Sequence, residues 1–317
     1  MKNKIICKYC NKDTIKKNGK TKGGKQRYLC ATCKKTSTIK QVLKKRAREH
    51  HWFKLWIKEG YTIRQLARQS SHSMAKIKNI IRHHIMQNPP VGGALDSVQG
   101  IIVDGTFIYK RICLFVVMNA RTHTVIDGRY LLREFCFAEV LLFIQSLKQR
   151  GLCPKYAVLD GNPHVIRALK EIYPDICIQR CLTHIQRQCL SWCRQRPTRP
   201  DAKELRAIAY QVSYIHTHKE KELWIAQFRN WELKYKRSFA PVDARDRVVG
   251  DIIRAASVLR NVLPDMFQYL DDNSIPKSTS CLEGYFSRLK HKYFAHRGLS
   301  PKRRTLYFKW FLHYCKR

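Results

Sequence analysis

The sequence predicts an α/β chain built from several modules. Three observations carry this. Two Cys-x-x-Cys knuckles open the chain, Cys7-Lys-Tyr-Cys10 and Cys30-Ala-Thr-Cys33. A helical rhythm with a break in its middle follows over 52–85. From 101 to 180, short β-rich runs alternate with helical ones, the pattern of a sheet with helices packed on it.

Residues 1–40 are rich in Lys, Gly and Cys and poor in apolar residues. Each knuckle sets two thiolates on one tight turn, and the pair completes a tetrahedron for Zn2+. A redox dithiol would sit on a βαβ unit and would not repeat. The segment is too polar to bury a core of its own, so the metal must supply folding energy. The stretch "KNGKTKGGKQRYLC" between the knuckles suits the hairpin of a zinc ribbon. Its Lys16, Lys17, Lys20, Lys22, Lys25 and Arg27 suit DNA docking, and a purely structural clip is the plainer alternative.

Residues 44–86 follow as a helical module. A helix ends near Gly60, Thr62 caps the next, and Leu66 and Ala67 lie on its inner face. After a turn at Ser70–His72, a helix over 73–86 sets Ile77, Ile80 and Ile81 inward and Lys76, Lys78 and Arg82 outward. This is the arrangement of a helix-turn-helix whose second helix enters a major groove. An ordinary basic helical bundle would show similar spacing. Residues 87–100, "QNPPVGGALDSVQG", read as a linker.

The next region parses element by element. "GIIVDGTFIY" is a strand, Lys110-Arg111 a turn, "ICLFVVMNA" a second strand and "HTVIDGRYLL" a third. Residues 134–149 form a helix with Phe137, Val140, Leu141 and Ile144 inward. "KYAVLD" is a fourth strand, 163–172 a helix and "DICIQRC" a fifth strand. Three antiparallel strands, then helix, strand, helix, strand, is the order of the ribonuclease-H-like fold, in which the first and fourth strands lie side by side. A mostly helical stretch follows over 185–270, with Trp224 and Trp231 among many charges.

Three Asp-Gly pairs punctuate this region. Asp104 stands inside the first strand, where a carboxylate is costly unless paired or metal-bound. Asp160 ends the fourth strand, and Asn162 and Pro163 then start a helix. The carboxyl end of a strand is where open α/β sheets bind ligands. Asp104 and Asp160 therefore face one divalent-metal site, while Asp127, in the third strand, reads as a bulge or turn. Metal pairs for phosphoryl transfer sit about 3.5–4 Å apart and need a third carboxylate. Mg2+, or Mn2+ in its place, takes few carboxylates plus waters and phosphates. The candidate is Glu283 in "KSTSCLEGYFSRLKHKY", followed by the phosphate-binding cations Arg288, Lys290 and Lys292. A glutamate that merely suits a helix N-terminus is the alternative.

Composition narrows the function classes. Lys and Arg number 62 against 23 Asp and Glu, a formal net charge of +39. Such an excess is offset most naturally by nucleic acid. No stretch approaches the ~20 apolar residues of a spanning helix, and the first residues lack the apolar core of a signal peptide. The expected location is cytoplasmic, on the nucleoid. Thirteen cysteines, an odd number, argue against a disulfide framework.

These residues resemble the Mutator superfamily of DDE transposases, including its bacterial insertion-sequence members, over about 101–310. "DGTF" looks like the first aspartate motif of the family. "LDGNPHVIRALKEIYPDICIQRCLTHIQRQ" looks like its second, running on to the Cys-x-x-His motif, here Cys181 and His184. "STSCLEGYFSRLK" looks like the segment around its glutamate, and Ser280 stands where the family often has Asn. The stretch of about 185–275 resembles the all-α insertion of these enzymes, which would make 101–317 one catalytic domain. The N-terminal zinc ribbon looks like the end-binding modules of other insertion-sequence transposases.

The resemblance implies a transposase that binds terminal inverted repeats, cleaves DNA with metal-activated water and joins the 3′-hydroxyls to target DNA. Synapsis of two ends implies at least a dimer. Asp104, Asp160 and Glu283 would be catalytic and hold Mg2+. Cys181 and His184 would lie beside them, as a buried thiol with a hydrogen-bonding imidazole or, with Cys177, Cys189 and Cys193, as a second zinc site. The rivals are a non-catalytic DNA-binding regulator and a nuclease that cuts without joining. The basic aromatic tail, with Tyr307, Phe308, Trp310, Phe311 and Tyr314, suits either DNA contact or the packing of a last helix.

Overall fold

The computed structural model of the chain describes residues 5–90, 92–109, 112–130, 132–133, 136–235 and 246–317, with the backbone alone at 39–45 and 109. The chain divides into two compact units, Met1–Pro89 with His291–Tyr314, and Pro90–Lys290 with Cys315–Arg317.

The first unit opens with three antiparallel strands, β1 (Ile15–Lys20), β2 (Gln26–Cys30) and β3 (Thr36–Thr38), in that order across the sheet. Helices α1 (Ile39–Glu59), α2 (Ile63–Ser70) and α3 (Met74–Ile85) follow. Gly60 ends α1 in the left-handed region at φ 71°, where an added Cβ would meet the Lys292 carbonyl at 3.0 Å. Thr62 and Gln65 form a reciprocal capping box on α2. Ser73 caps α3 by accepting from the Lys76 amide. Leu66, Ile77, Ile80 and Ile81 are buried, as the rhythm of the sequence requires, and Ala67 is half-buried.

The last helix of the chain, Pro301–Tyr314, closes this unit. Tyr307, Phe308, Trp310 and Phe311 are buried on it. Trp310 meets Phe53 edge-on at 5.2 Å, and Tyr307 meets Trp56 at 5.4 Å. The Trp310 indole donates to the Gln87 carbonyl at 2.9 Å, and Tyr314 hydrogen-bonds His50 at 2.8 Å. Of the two uses open to the tail aromatics, the structure shows packing.

The second unit is built on a five-stranded sheet: β4 (Gly100–Tyr109), β5 (Ile112–Asn119), β6 (Val125–Tyr130), β7 (Tyr156–Leu159) and β8 (Cys177–Arg180). The order is β6-β5-β4-β7-β8. β4 to β6 are antiparallel to their neighbours in turn, and β4, β7 and β8 run parallel. The first and fourth strands of this sheet are therefore adjacent, as the element order predicts. The expected turn at Lys110-Arg111 lies outside the described residues. Helices α4 (Phe137–Lys148) and α5 (Pro163–Ile172) cover one face. Ile101, Val103, Ala157, Leu159 and Ile178 point into the core they form with Val140, Ile144, Val165 and Leu169. The period of two then turns Asp104, Val158 and Gln179 to the opposite face. The helix expected at 134–149 spans Phe137–Lys148 among the described residues, and Phe137 and Leu141 are only partly buried.

Helices α6 (Leu182–Trp192), α7 (Pro200–Gln211), α8 (His218–Tyr235) and α9 (Arg247–Val262) make up the helical stretch. Trp224 and Trp231 are buried and stack on either side of Phe228. Their indoles donate to the carbonyls of Ile208 and Asp201 at 2.9 Å each. Gln179, fully buried on β8, donates to the Met266 carbonyl at 2.8 Å and accepts from the Tyr269 amide at 3.3 Å. That side chain fastens the segment after α9 to the sheet. Helices α10 (Ser280–Phe294) and α11 (Pro301–Tyr314) complete the chain, and the division between the units falls within α10.

Gln179→Leu keeps the volume but leaves a buried carbonyl and amide without their partner. The expected cost is about 1–3 kcal/mol, read as a lower urea midpoint with an unchanged slope.

Candidate metal and carboxylate sites

The four cysteines of the two knuckles converge. The Sγ atoms of Cys7, Cys10, Cys30 and Cys33 all lie within 4.8 Å of one another. The Cys7–Cys33 pair is 3.4 Å apart and the Cys10–Cys30 pair 3.5 Å. These separations are far beyond a disulfide bond, near 2.05 Å. They approach the edge of a tetrahedron with Zn–S of about 2.3 Å. The knuckles repeat each other in backbone detail. The Asn11 amide donates to the Cys7 carbonyl at 3.0 Å and the Lys34 amide to the Cys30 carbonyl at 2.9 Å. Asn11 and Lys34, each just past the second cysteine, both have positive φ, 59° and 57°. Hydrogen bonds led by the Cys33 backbone amide lower the Cys30 thiol to about 6, while at Cys33 the Lys35 amide is outweighed by burial and the neighbouring thiols, which push it up to about 11. The donor set fits Zn2+. Lys16, Lys17, Lys20, Lys22, Lys25 and Arg27 are all exposed on this module.

In the second unit, the register of β4 and β7 sets the carboxylates. Val103 pairs with Leu159. Asp104 is the next residue on β4 and Asp160 the first residue past the end of β7, so the register sets the two side by side. Asp104 is 8% exposed, and its Oδ1 accepts from the Gly105 amide at 2.8 Å. Asp160 is exposed, and its Oδ1 accepts from the Asn162 amide at 3.1 Å. Asn162 in turn caps α5 by accepting from the His164 amide at 3.0 Å. Gly161, at φ 105°, leaves room for the Arg180 guanidinium, which donates to the Asp160 carbonyl at 3.1 Å. A Cβ on Gly161 would lie 1.8 Å from that guanidinium.

Asp127 is elsewhere. It sits on β6, beyond β5, beside a slip of register between Val117 and Met118. Its carboxylate pairs with Arg150.

Glu283 lies in the first turn of α10, whose start is tied to α6. The Leu182 amide donates to the Lys277 carbonyl at 3.0 Å. The Thr279 amide donates to Cys181 Sγ at 3.3 Å, and the Thr279 hydroxyl lies 3.5 Å from His184 Nδ1. Arg187 grips the Glu283 carboxylate with both terminal nitrogens, at 2.8 and 3.1 Å. His184 Nε2 is 3.7 Å from the same carboxylate. Burial opposes ionisation of Cys181, but hydrogen bonds from His184 and Thr279 outweigh it and hold the thiol below its ordinary value. The bond to Cys181, with the charges of Asp104 and Asp160 adding, raises His184 to about 9. Burial, with the charge of Asp104 adding, pushes the Cys281 thiol up.

The structure thus brings Asp104 and Asp160 together and sets Cys181, His184 and Glu283 within the same unit. Glu283 is engaged with Arg187. Among the described residues, the four cysteines are the one group of three or more His, Cys, Asp or Glu side chains whose ligand atoms all lie within 4.8 Å. Two carboxylates set side by side by strand register, one inside β4 and one just past β7 and open to solvent, fit Mg2+, which keeps several waters. Arg187 and Thr279 are absent from the sequence reading. Arg187 could have been found from its i, i+3 spacing to His184 on one helix face. Thr279 carries no such signal.

Of the candidate DNA contacts, Lys78, Arg82, Arg288 and Lys290 are exposed. Lys76 pairs with Glu49 at 2.6 Å, and Lys292 lies 3.9 Å from Glu59.

Asp160, Cys181 and His184 all lie within the part of the chain that a family model matches. Residues 138–250 match the family model described as Transposase, Mutator family, and the match supports a Mutator-superfamily transposase. That family implies action on DNA. No curated protein matches the sequence. No helix among the described residues is long and apolar enough to cross a membrane.

Two outcomes are expected. Purified protein should carry one Zn2+ per chain by elemental analysis, and Cys30→Ser should lose it. In protein free of divalent metal, the His184 imidazole should titrate near pH 9 by NMR. Cys181→Ala should move that midpoint down, because removing the thiolate leaves burial, which favours the neutral ring.

Proposed function

We propose that the chain is a DDE transposase of a bacterial insertion sequence, with a ribonuclease-H-like catalytic domain at 101–317. One observation carries the reading: the register of β4 and β7 sets Asp104, inside β4, beside Asp160, the first residue past the end of β7. The sheet order β6-β5-β4-β7-β8 supports the fold, since it is the order that this fold requires. The family match, which includes Asp160, supports the activity.

On this reading Asp104, Asp160 and Glu283 hold Mg2+ or Mn2+, which when bound activates the attacking oxygen and stabilises the leaving one. The chain's own residues do the rest. Glu283 reaches the site from α10, whose start is anchored by Thr279 to Cys181. His184 stands charged beside the carboxylates at neutral pH and offers a cation to a phosphate. Arg288, Lys290 and Lys292 follow Glu283 on α10 and bind the DNA backbone. The zinc ribbon and the helix-turn-helix of α2 and α3 bind the terminal inverted repeats, with Lys78 and Arg82 exposed for the groove and Lys76 released from Glu49. Water, and then the 3′-hydroxyl of the element, is the nucleophile, so no covalent protein–DNA intermediate forms. Two ends held together require at least a dimer, working in the cytoplasm on the nucleoid.

The experiment is a labelled element end, a target plasmid and Mg2+ or Mn2+. Wild type should cleave the end and join it to the target. Asp104→Ala, Asp160→Ala and Glu283→Ala should each lose activity on the order of 10³-fold, with binding of the end unchanged. Cutting without joining by wild type would make the chain a nuclease. Full activity in any of the three variants would remove that residue from the site.

A further inference from the structure

The last turn of α7 and the short 3-10 turn Val212–Tyr214 that follows it present two tyrosines to solvent. Tyr210 and Tyr214 are 54% and 58% exposed. Their ring centroids lie 5.4 Å apart at an interplanar angle of 34°, and their hydroxyls are 3.2 Å apart, within hydrogen-bond distance. Side chains four residues apart share one helix face, so the two rings form a continuous aromatic surface. Trp224, Phe228 and Trp231, in the same helical stretch, are buried.

The surface is held from beneath. Gln186 donates its amide to the Tyr210 carbonyl and to the Ser213 hydroxyl, both at 2.7 Å. The Ile215 carbonyl receives the Tyr269 hydroxyl at 2.9 Å and the Lys277 ammonium at 2.7 Å. Gln186 lies on α6 between His184 and Arg187. Lys277 lies two residues before Thr279. The two segments that place the carboxylate site are therefore those that brace the tyrosines. Exposed His216, His218 and Lys219 continue the chain just past them.

We propose that Tyr210 and Tyr214 form a stacking platform for unpaired nucleobases of a DNA strand leaving the carboxylate site. Every base has a π-face, so aromatic rings beside cations hold single strands without reading their sequence. A formal charge of +39 suits a polyanionic occupant. A rigid pair of half-exposed rings, kept from the apolar contacts available to aromatics, is organised in advance for such an occupant. The inference rests on the DNA-binding reading above.

The test uses the full chain and two probes: a blunt DNA duplex, and the same duplex with a single-stranded extension of about six nucleotides carrying 2-aminopurine. Wild type should bind the extended probe more tightly than the blunt one and quench its fluorescence. Tyr210→Ala with Tyr214→Ala should abolish the quenching and weaken the extended probe about tenfold or more, since stacking is worth about 1–3 kcal/mol per base. Blunt-duplex affinity and thermal melting should stay as in wild type. Tyr210→Phe with Tyr214→Phe should keep both the quenching and the affinity. The platform is overturned if the double alanine variant keeps them, if it loses blunt-duplex binding equally, or if the phenylalanine variant fails as badly. If wild type binds neither probe, it is the DNA-binding reading that falls.

Discussion

A single buried cysteine, Cys181, connects the parts of the candidate carboxylate site. The Cys181 amide donates to the carbonyl of Leu159, the residue before Asp160, at 2.8 Å. Its Sγ accepts the amide of Thr279 at 3.3 Å, four residues before Glu283. The same residue starts α6, which carries His184 and Arg187. One fully buried residue therefore fixes the end of β7 through its amide and the approach to α10 through its thiol. A thiol is small enough for that junction and, in thiolate form, strong enough as an acceptor to hold an amide, a hydroxyl and an imidazolium. Displacing that residue would shift Asp160 and Glu283 relative to each other, and on the proposed function the chemistry depends on that relation.

The three Asp-Gly pairs show how far the sequence carries. Asp104 and Asp127 are locally alike: each Oδ1 accepts the following glycine amide at 2.8 Å. Nothing in the Asp-Gly dipeptide separates them. What separates them is strand order, which follows from the alternation of runs along the chain and was legible as a pattern. β4 spans 100–109 as its sequence reads, because β-favouring residues on both sides of Asp104-Gly105 run on to the expected turn. The ends of shorter strands were less legible. The fifth run, "DICIQRC", gives only Cys177–Arg180, since Cys181 leaves the ladder to begin a helix. The direction in which Glu283 points was not legible, because it is set by Arg187, 96 residues earlier in the chain. Local pattern holds no record of such a pair.

The aromatic tail teaches the complementary point. Tyr307, Trp310 and Tyr314 stand among cations, a composition shared by DNA-contacting surfaces and by amphipathic helices. Their burial against Phe53 and Trp56 follows from size: each aromatic removes about 150–250 Å² from water. A small helical unit has few other ways to gain comparable burial. His296 and His84 are buried in the same unit, where burial lowers both to about 4 and keeps them neutral. The charge of this unit stays at its surface, on Lys78 and Arg82 of α3, and its interior is aromatic and uncharged.

The knuckles follow a different economy. Between residues 5 and 38, the buried side chains are Cys7, Tyr28, Cys30 and Ser37. Four such groups cannot offset the backbone entropy of three strands at about 1–2 kcal/mol per residue. A structural Zn2+ contributes about 10–16 kcal/mol, which is of the size required. The left-handed residues Asn11 and Lys34 fit this account. Lysine gains nothing in that conformation for its own sake, and Lys34 adopts it because the turn must bring the Cys30 and Cys33 thiolates to one point. A metal bound by the four cysteines would thereby set six exposed cations, from Lys16 to Arg27, on a hairpin whose polar sequence buries little of its own.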